Sequence, residues 1–286
     1  MTVDAHHHVW DLSVRDQDWI DPTTMAVIRR SFGVADLAGP AQEADVTATV
    51  LVQTVAVAAE TPEFLAIAAA PENTLVAGVV GWVDLTDPGV GDALAALRGL
   101  PGGDRLVGIR HLVQGESDPR WLTRPDVRRG LRAVADAGLV YDLLTLPHQL
   151  PAAVETVRAL PDLRFVLDHL SKPLIASGVL QPWADDLRAL AEAPNVAAKL
   201  SGLVTEADAE RWTVADLRPY ADVALDAFGP ERLMFGSDWP VCLLAGSYAD
   251  VAGAARELTD QLSPAEREQI FDTTARHWYH LTDPKD

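Results

Sequence analysis

The sequence predicts a (β/α)8 barrel, one domain over residues 1–286, and three observations carry that prediction. Eight short β-branched or apolar runs alternate with Ala/Leu/Arg/Glu-rich helical stretches. The runs start about 25 to 45 residues apart, room for one crossover helix each. No Gly/Ser linker, low-complexity tract or charge block divides the chain.

In chain order the strand candidates are "VDAHHHV" (3–9), "TATVLVQTV" (47–55), "LVAGVVGWV" (75–83) and "RLVGIRHLV" (105–113). The second half adds "LVYDLLTL" (139–146), "RFVLDHL" (164–170), "NVAAKLSGL" (195–203) and "RLMFGSD" (232–238). Between them, 61–72 reads as a helix with a Thr61 cap and Pro62 behind it. The helix over 124–138 closes on Gly138, and that over 217–230 ends on a Gly-Pro stop. Residues 262–281 read as one or two closing helices. An open doubly wound sheet is the competing architecture. Its dinucleotide loop is missing, because "GVGDAL" (89–94) lacks the third glycine and follows a Pro turn, not a strand.

Composition narrows the function classes. A hydrophobic content of 48% suits a globular chain with a large core. The formal charge of −19 argues against nucleic acid, where a basic stripe supplies most of the affinity, and against docking on anionic lipid. The single Cys242 excludes an internal disulfide and fits a reducing compartment. No signal peptide or apolar span of 18 or more residues is visible, so a cytoplasmic protein without membrane partners is expected.

A barrel of this kind carries its chemistry at the C-terminal ends of its strands. Strand 1 ends in His6, His7 and His8. Side chains alternate along a strand, so His6 and His8 share a face and His7 points to the helical shell. Strand 4 ends in Arg110 and His111, of which only one can face inward. Strand 6 ends in Asp168 and His169, followed by Ser171 and Lys172, and strand 7 carries Lys199 and Ser201. Strand 8 ends in "FGSDWP" with Asp238 at its tip.

Two or three imidazoles and a carboxylate at one mouth suit a divalent, zinc-type ion held by His6, His8, His169 and Asp238, with a position open for water. They equally suit metal-free hydrolysis, with imidazoles as donors to a carbonyl oxygen and Asp238 as base toward water. Arg110, His111, Lys172 and His148 are candidates for substrate contact. Trp10, Trp82 and Trp239 follow strands 1, 3 and 8, where they either pack or wall a pocket. His277 and His280 belong to packing or surface. Cys242 has no nearby histidine to activate it, and no G-x-S-x-G elbow occurs.

Taken together, "DAHHHVWD", "VLVQTV", "VGIRHLVQ", "FVLDHLSKP", "KLSGL" and "LMFGSDWPV" resemble the amidohydrolase superfamily, in the branch of sugar lactonases and 2-pyrone-4,6-dicarboxylate lactonases. The resemblance runs from strand 1 to strand 8. It implies hydrolysis of a cyclic ester, with His6 and His8 as the strand-1 pair, His169 as the later barrel histidine and Asp238 activating water. One divalent ion, Zn²⁺ by that resemblance, or none, is implied. Strand 4 offers Val107, Ile109 and Arg110 where binuclear members carry a bridging carboxylated lysine, so a binuclear centre is not expected. The closing helix reads "DTTARHWY" where an Asn-Ala pair is expected before the aromatic.

The reading is therefore a hydrolase that opens a small lactone, a sugar aldonolactone first among them. Trp239 and Trp82 would lie along the substrate, and a homo-oligomer stays open. The alternatives are a metal-dependent decarboxylase or other hydrolase on the same ligands, and a non-catalytic small-molecule binding protein.

Overall fold

The computed structural model of the protein describes residues 1–281. Eight parallel strands lie in chain order, β1 (Thr2–His7), β2 (Val46–Val52), β3 (Val76–Gly81), β4 (Leu106–His111), β5 (Val140–Leu143), β6 (Phe165–Leu167), β7 (Val196–Leu200) and β8 (Leu233–Phe235). Six fall inside the runs that predict them, and β1 and β2 each begin one residue before theirs. The strands are buried on both faces, which is why they read as continuous apolar runs and not as alternation.

The outer layer is α1 (Val34–Glu43), α2 (Glu60–Ala69), α3 (Val90–Arg98), α4 (Pro125–Asp136), α5 (Leu150–Ala159), α6 (Trp183–Ala191), α7 (Leu203–Glu206), α8 (Val214–Phe228) and α9 (Tyr248–Leu258). The chain then runs through α10 (Pro264–Glu268), a single π-type turn at Gln269–Thr273 and α11 (Thr274–Tyr279). Among the described residues, no helix is long and apolar enough to cross a membrane.

One helix start differs from expectation. α2 begins at Glu60, and Thr61 is not its cap. The Thr61 hydroxyl instead accepts from the Trp82 backbone N–H (2.7 Å) and donates to the Trp82 carbonyl (3.0 Å), tying α2 to the end of β3. That bond satisfies two backbone groups at once, which a cap would not.

The barrel closes between its first and last strands. Asp238 N–H donates to the His6 carbonyl (2.8 Å) and His8 N–H to the Trp239 carbonyl (2.7 Å). Beneath this seam Asp4 is wholly buried. It accepts from Ser237 N–H (2.8 Å), the Ser237 hydroxyl (2.6 Å) and the Tyr248 hydroxyl (2.9 Å).

β1 is irregular in a way that matters. Asp4 stands opposite Thr49 and His7 opposite Leu51, three residues against two, which is a β-bulge. Val3 and Ala5 belong to the apolar set inside the barrel with Val50, Val80 and Met234. Strict alternation from Ala5 would send His7 inward. The extra residue reverses the phase, so His6 turns in to meet the lumen groups and His7 turns away to Thr49 Oγ1 (2.9 Å). The barrel floor is filled by Ala275, Trp278, Tyr279 and Leu281 from the closing segment.

Asp4→Ala leaves the Ser237 and Tyr248 donors buried without an acceptor. At roughly 1–3 kcal/mol per stranded group, the loss is at least about 2 kcal/mol. Thermal unfolding of the variant is expected to move down by roughly 4–8 °C.

Candidate active site

His6, His8, His169 and Asp238 meet at the C-terminal mouth of the barrel, all nearly or wholly buried. His6 Nε2 and His8 Nε2 stand 3.1 Å apart. One oxygen of Asp238, Oδ1, lies 3.5 Å from His8 Nε2 and 3.8 Å from both His6 Nε2 and His169 Nε2. The other ring nitrogens are anchored. His8 Nδ1 meets the Val52 carbonyl (2.7 Å), which makes Nδ1 the donor and leaves Nε2 as a lone pair toward Asp238. His169 Nδ1 meets Ser201 Oγ (2.8 Å).

Burial sets the protonation states. It lowers His6 well below the ordinary histidine value, with the Lys199 charge adding to it and Asp168 opposing. Burial likewise lowers His8, and brings His169 down to about 4 against the pull of Asp238 and Asp168. On its own, burial would raise Asp238, but His169, His8 and His6 outweigh it and hold the carboxyl below the usual range. At neutral pH the cluster is one ionised carboxylate facing three neutral imidazoles.

Below the imidazoles lies a layer of buried charge. Lys199 Nζ reaches Asp142 Oδ2 (2.6 Å), Asp168 Oδ1 (2.9 Å) and His6 Nδ1 (3.1 Å). Arg110 Nη1 donates to Asp168 Oδ2 (2.9 Å) and stands 3.4 Å from His6 Nε2. Its Nε donates to Gln53 Oε1 (2.8 Å), and its Nη2 to the Gln53 carbonyl. Lys199, His6 and Arg110 together hold Asp168 well below its usual value in spite of burial. Asp142 is pushed up to about 6 by burial, although Lys199 opposes, and it accepts from the Tyr279 hydroxyl (2.8 Å). Two cations thus neutralise two anions inside the barrel, the condition under which buried charge is tolerated.

His169 owes its position to an unusual backbone. His169, Leu170, Ser171 and Lys172 all have positive φ, between 50° and 60°, and Asp238 has φ 57°. Such values cost a side-chain-bearing residue of order 1 kcal/mol or more and cluster at functional sites. Gly202, itself at φ +65°, presses against the His169 ring, where an added Cβ would lie 2.6 Å from Nδ1.

Arg110 points into the lumen and His111 does not. His111 Nδ1 accepts from Trp82 Nε1–H (3.1 Å), its Nε2 meets Glu116 Oε1 (2.7 Å), and its ring stacks 4.2 Å from Trp121. Trp82 is thereby committed to His111. Trp239 is buried edge-on against Phe32, and Trp10 against Phe32 and Trp19; Trp10 and Phe32 also line a cavity of about 680 Å³. His148 is exposed on the turn after β5. Lys172 Nζ lies 3.9 Å from Glu206 Oε1. Cys242 is fully buried, with its thiol pushed up by burial, the setting of an inert thiol. A second, larger groove of about 1270 Å³ opens at the other end of the strands, beside Thr2, Val46 and Leu75, and shares no residue with the cluster.

Sequence reasoning left Gln53, Asp142 and Glu206 out of the site and gave Asp168 and Lys199 no role. A lysine in "VAAKL" and an aspartate in "VYDLL" were the available signals, since a charge inside an apolar strand must find a partner.

The donor set suits a cation. A tetrahedral ion with nitrogen ligands at roughly 2.0–2.1 Å separates its donors by about 3.3–3.5 Å. His6, His8 and Asp238 show 3.1, 3.5 and 3.8 Å between their donor atoms, and His6, Asp168 and His169 form a second such group.

The amidohydrolase family model matches residues 3–281. The chain belongs to the amidohydrolase family. It is 40% identical to an L-fucono-1,5-lactonase of Burkholderia multivorans, covering 100% of this chain and 98% of the relative. It is 37% identical to an L-fucono-1,5-lactonase of Burkholderia ambifaria, covering 99% and 96%. A crystal structure of an amidohydrolase from B. multivorans with bound zinc superposes with a TM-score of 0.93 at 37% identity, over 99% of this chain and 100% of that one.

For this amidohydrolase, Gly202→Ala is expected to displace the His169 ring and break its bond to Ser201. The 1 Å scale of that shift corresponds to about a 100-fold loss of turnover. Steady-state kinetics beside a melting curve measures it.

Proposed function

We propose that this protein hydrolyses a lactone and that its substrate is a sugar aldonolactone. The observation that carries the reading is one ionised carboxylate, Asp238, set among neutral imidazoles at the barrel mouth. It stands in a chain alike over its whole length to proteins named as lactonases.

Asp238 accepts a proton from water as the water oxygen attacks the lactone carbonyl carbon. Negative charge moves to the carbonyl oxygen, where N–H donors stabilise it. Arg110 Nη1, 3.4 Å from His6 Nε2, is a fixed cation on the Nε2 side of that imidazole, as Lys199 Nζ is on the Nδ1 side. The ring C–O bond then breaks, and Asp238 returns its proton to the alkoxide. An ester suits this site better than an amide, because an alkoxide leaves with less protonation than an amine requires. The product is a hydroxy acid, which releases one proton at neutral pH.

His6, His8, His169 and Asp238 would hold a divalent ion, Zn²⁺ by the chemistry of the donors. Such an ion supplies Lewis acidity, polarising a carbonyl oxygen and lowering the pKa of water. We place the reaction in the cell interior, on a small-molecule substrate.

A pH-stat with a panel of sugar 1,5- and 1,4-lactones tests the reaction, since lactone opening releases acid and decarboxylation releases CO₂. Failure of every lactone in the panel to release acid would overturn the reading. Asp238→Asn is expected to lower kcat roughly 10²–10⁴-fold with the fold intact by circular dichroism. Elemental analysis tests the ion independently of turnover. The expected result is about one zinc per chain in the wild type and a clear loss in His8→Ala, whereas equal metal in both would remove His8 from the ligand set.

A further inference from the structure

Lys172 and Glu206 sit above the cluster on two different loops. Lys172 ends the left-handed turn that carries His169, and its N–H donates to the His169 carbonyl (2.8 Å), so its place is set by that turn. Glu206 ends α7, the short helix that follows Gly202, the residue packed against the His169 ring. Both loops leave the C-terminal ends of their strands, β6 and β7, and so face the same mouth. Their charges reach the site. Lys172 acts on His169, and Asp238 acts on Glu206 together with the stronger effects of burial and Lys172.

The pair is not closed. Nζ and Oε1 are 3.9 Å apart, beyond the 2.7–3.2 Å of a hydrogen bond. Elsewhere exposed pairs such as Arg120–Glu155 and Arg158–Glu192 are drawn in to 2.6 and 2.7 Å. The Lys172 and Glu206 side chains are only 26% and 24% exposed, so neither is dissolved in bulk water. A single hydroxyl oxygen can stand about 2.8 Å from both atoms, accepting from the ammonium and donating to the carboxylate. A carbonyl or ether oxygen can accept from Lys172 but has nothing to give Glu206. An anion meets the carboxylate and is repelled.

We propose that Lys172 and Glu206 read a hydroxyl group of the substrate and make the enzyme prefer polyhydroxylated lactones over unsubstituted ones. This rests on the lactonase reading above and names the substrate feature that the mouth selects. The pair makes no bond to the reacting carbonyl and takes no part in proton transfer. Its contribution is to binding, and it discriminates as a site built for a hydroxyl does, by stranding charged groups when the hydroxyl is missing.

The experiment compares wild type, Lys172→Met and Glu206→Leu on the sugar 1,5-lactone turned over best and on δ-valerolactone, which has the ring and no hydroxyls. Each variant is expected to reduce the preference for the sugar lactone, as the ratio of kcat/KM values, by roughly 10–100-fold. The loss should lie in KM for the sugar lactone, and Lys172→Arg and Glu206→Gln should recover part of it. Equal losses on both lactones, or a loss confined to kcat, would show that the pair supports catalysis or folding, and the proposal falls. An unaltered ratio in both variants would make the pair a surface ion pair and overturn it too. Failure of the lactonase reading looks different, because wild type would then open neither lactone.

Discussion

The site depends on the seam where the barrel closes. Two backbone hydrogen bonds join His6 and His8 to Asp238 and Trp239, so three of the four residues of the buried cluster lie on the seam itself. A parallel barrel brings its first and last strands side by side whatever their sequence distance. Here that geometric necessity sets two imidazoles from one end of the chain within 4 Å of a carboxylate more than two hundred residues away. The bulge in β1 gives the histidines their phase, and Asp4 pins the strands together just below. Closure and assembly of the site are the same event.

The second constraint is charge. Three imidazoles and Asp238 occupy a region almost free of solvent, and the layer of Asp142, Lys199, Asp168 and Arg110 underneath makes that tolerable. Asp168 is the joint between the two levels, because it accepts from Arg110, pairs with Lys199 and lies 3.3 Å from His6 Nδ1. Orientation of His6 therefore follows from the ion pairs that surround it. The neutral state of the imidazoles follows from the same burial, and neutral ring nitrogens are the form in which histidine binds a metal or accepts a proton.

Much of this was legible in the sequence. The eight strand runs stood out because barrel strands are buried on both sides, and a closed ring follows from their alternation with helices. His6, His8, His169 and Asp238 stand out as candidates because strand ends are where a barrel keeps its chemistry, and the structure brings the four together at one mouth. The alternation that pairs His6 with His8 holds in the structure, but their inward phase is set by a bulge that no residue pattern announces. Rotamer and loop geometry were out of reach. Nothing in "VGIRHLVQGE" shows that His111 will be taken by Trp82 and Glu116, and nothing in "GLVTEAD" places Glu206 beside Lys172. The four consecutive left-handed residues that aim His169 lie in "DHLSKP", which has no glycine to give them away.

The floor of the barrel carries a consequence for how the enzyme comes into being. Tyr279, on α11, plugs the lumen from below, and its hydroxyl reaches Asp142 in the charged layer. Lys199 links that aspartate onward to His6. During synthesis, the first strand and its histidines emerge early, but the tyrosine that completes the network emerges nearly 280 residues into the chain. Until then Asp142 has no phenol to share its charge, and the apolar lumen has no stopper against water. With all eight strands made, the barrel still lacks its floor, and the network that orients His6 is complete only when Tyr279 packs into the lumen.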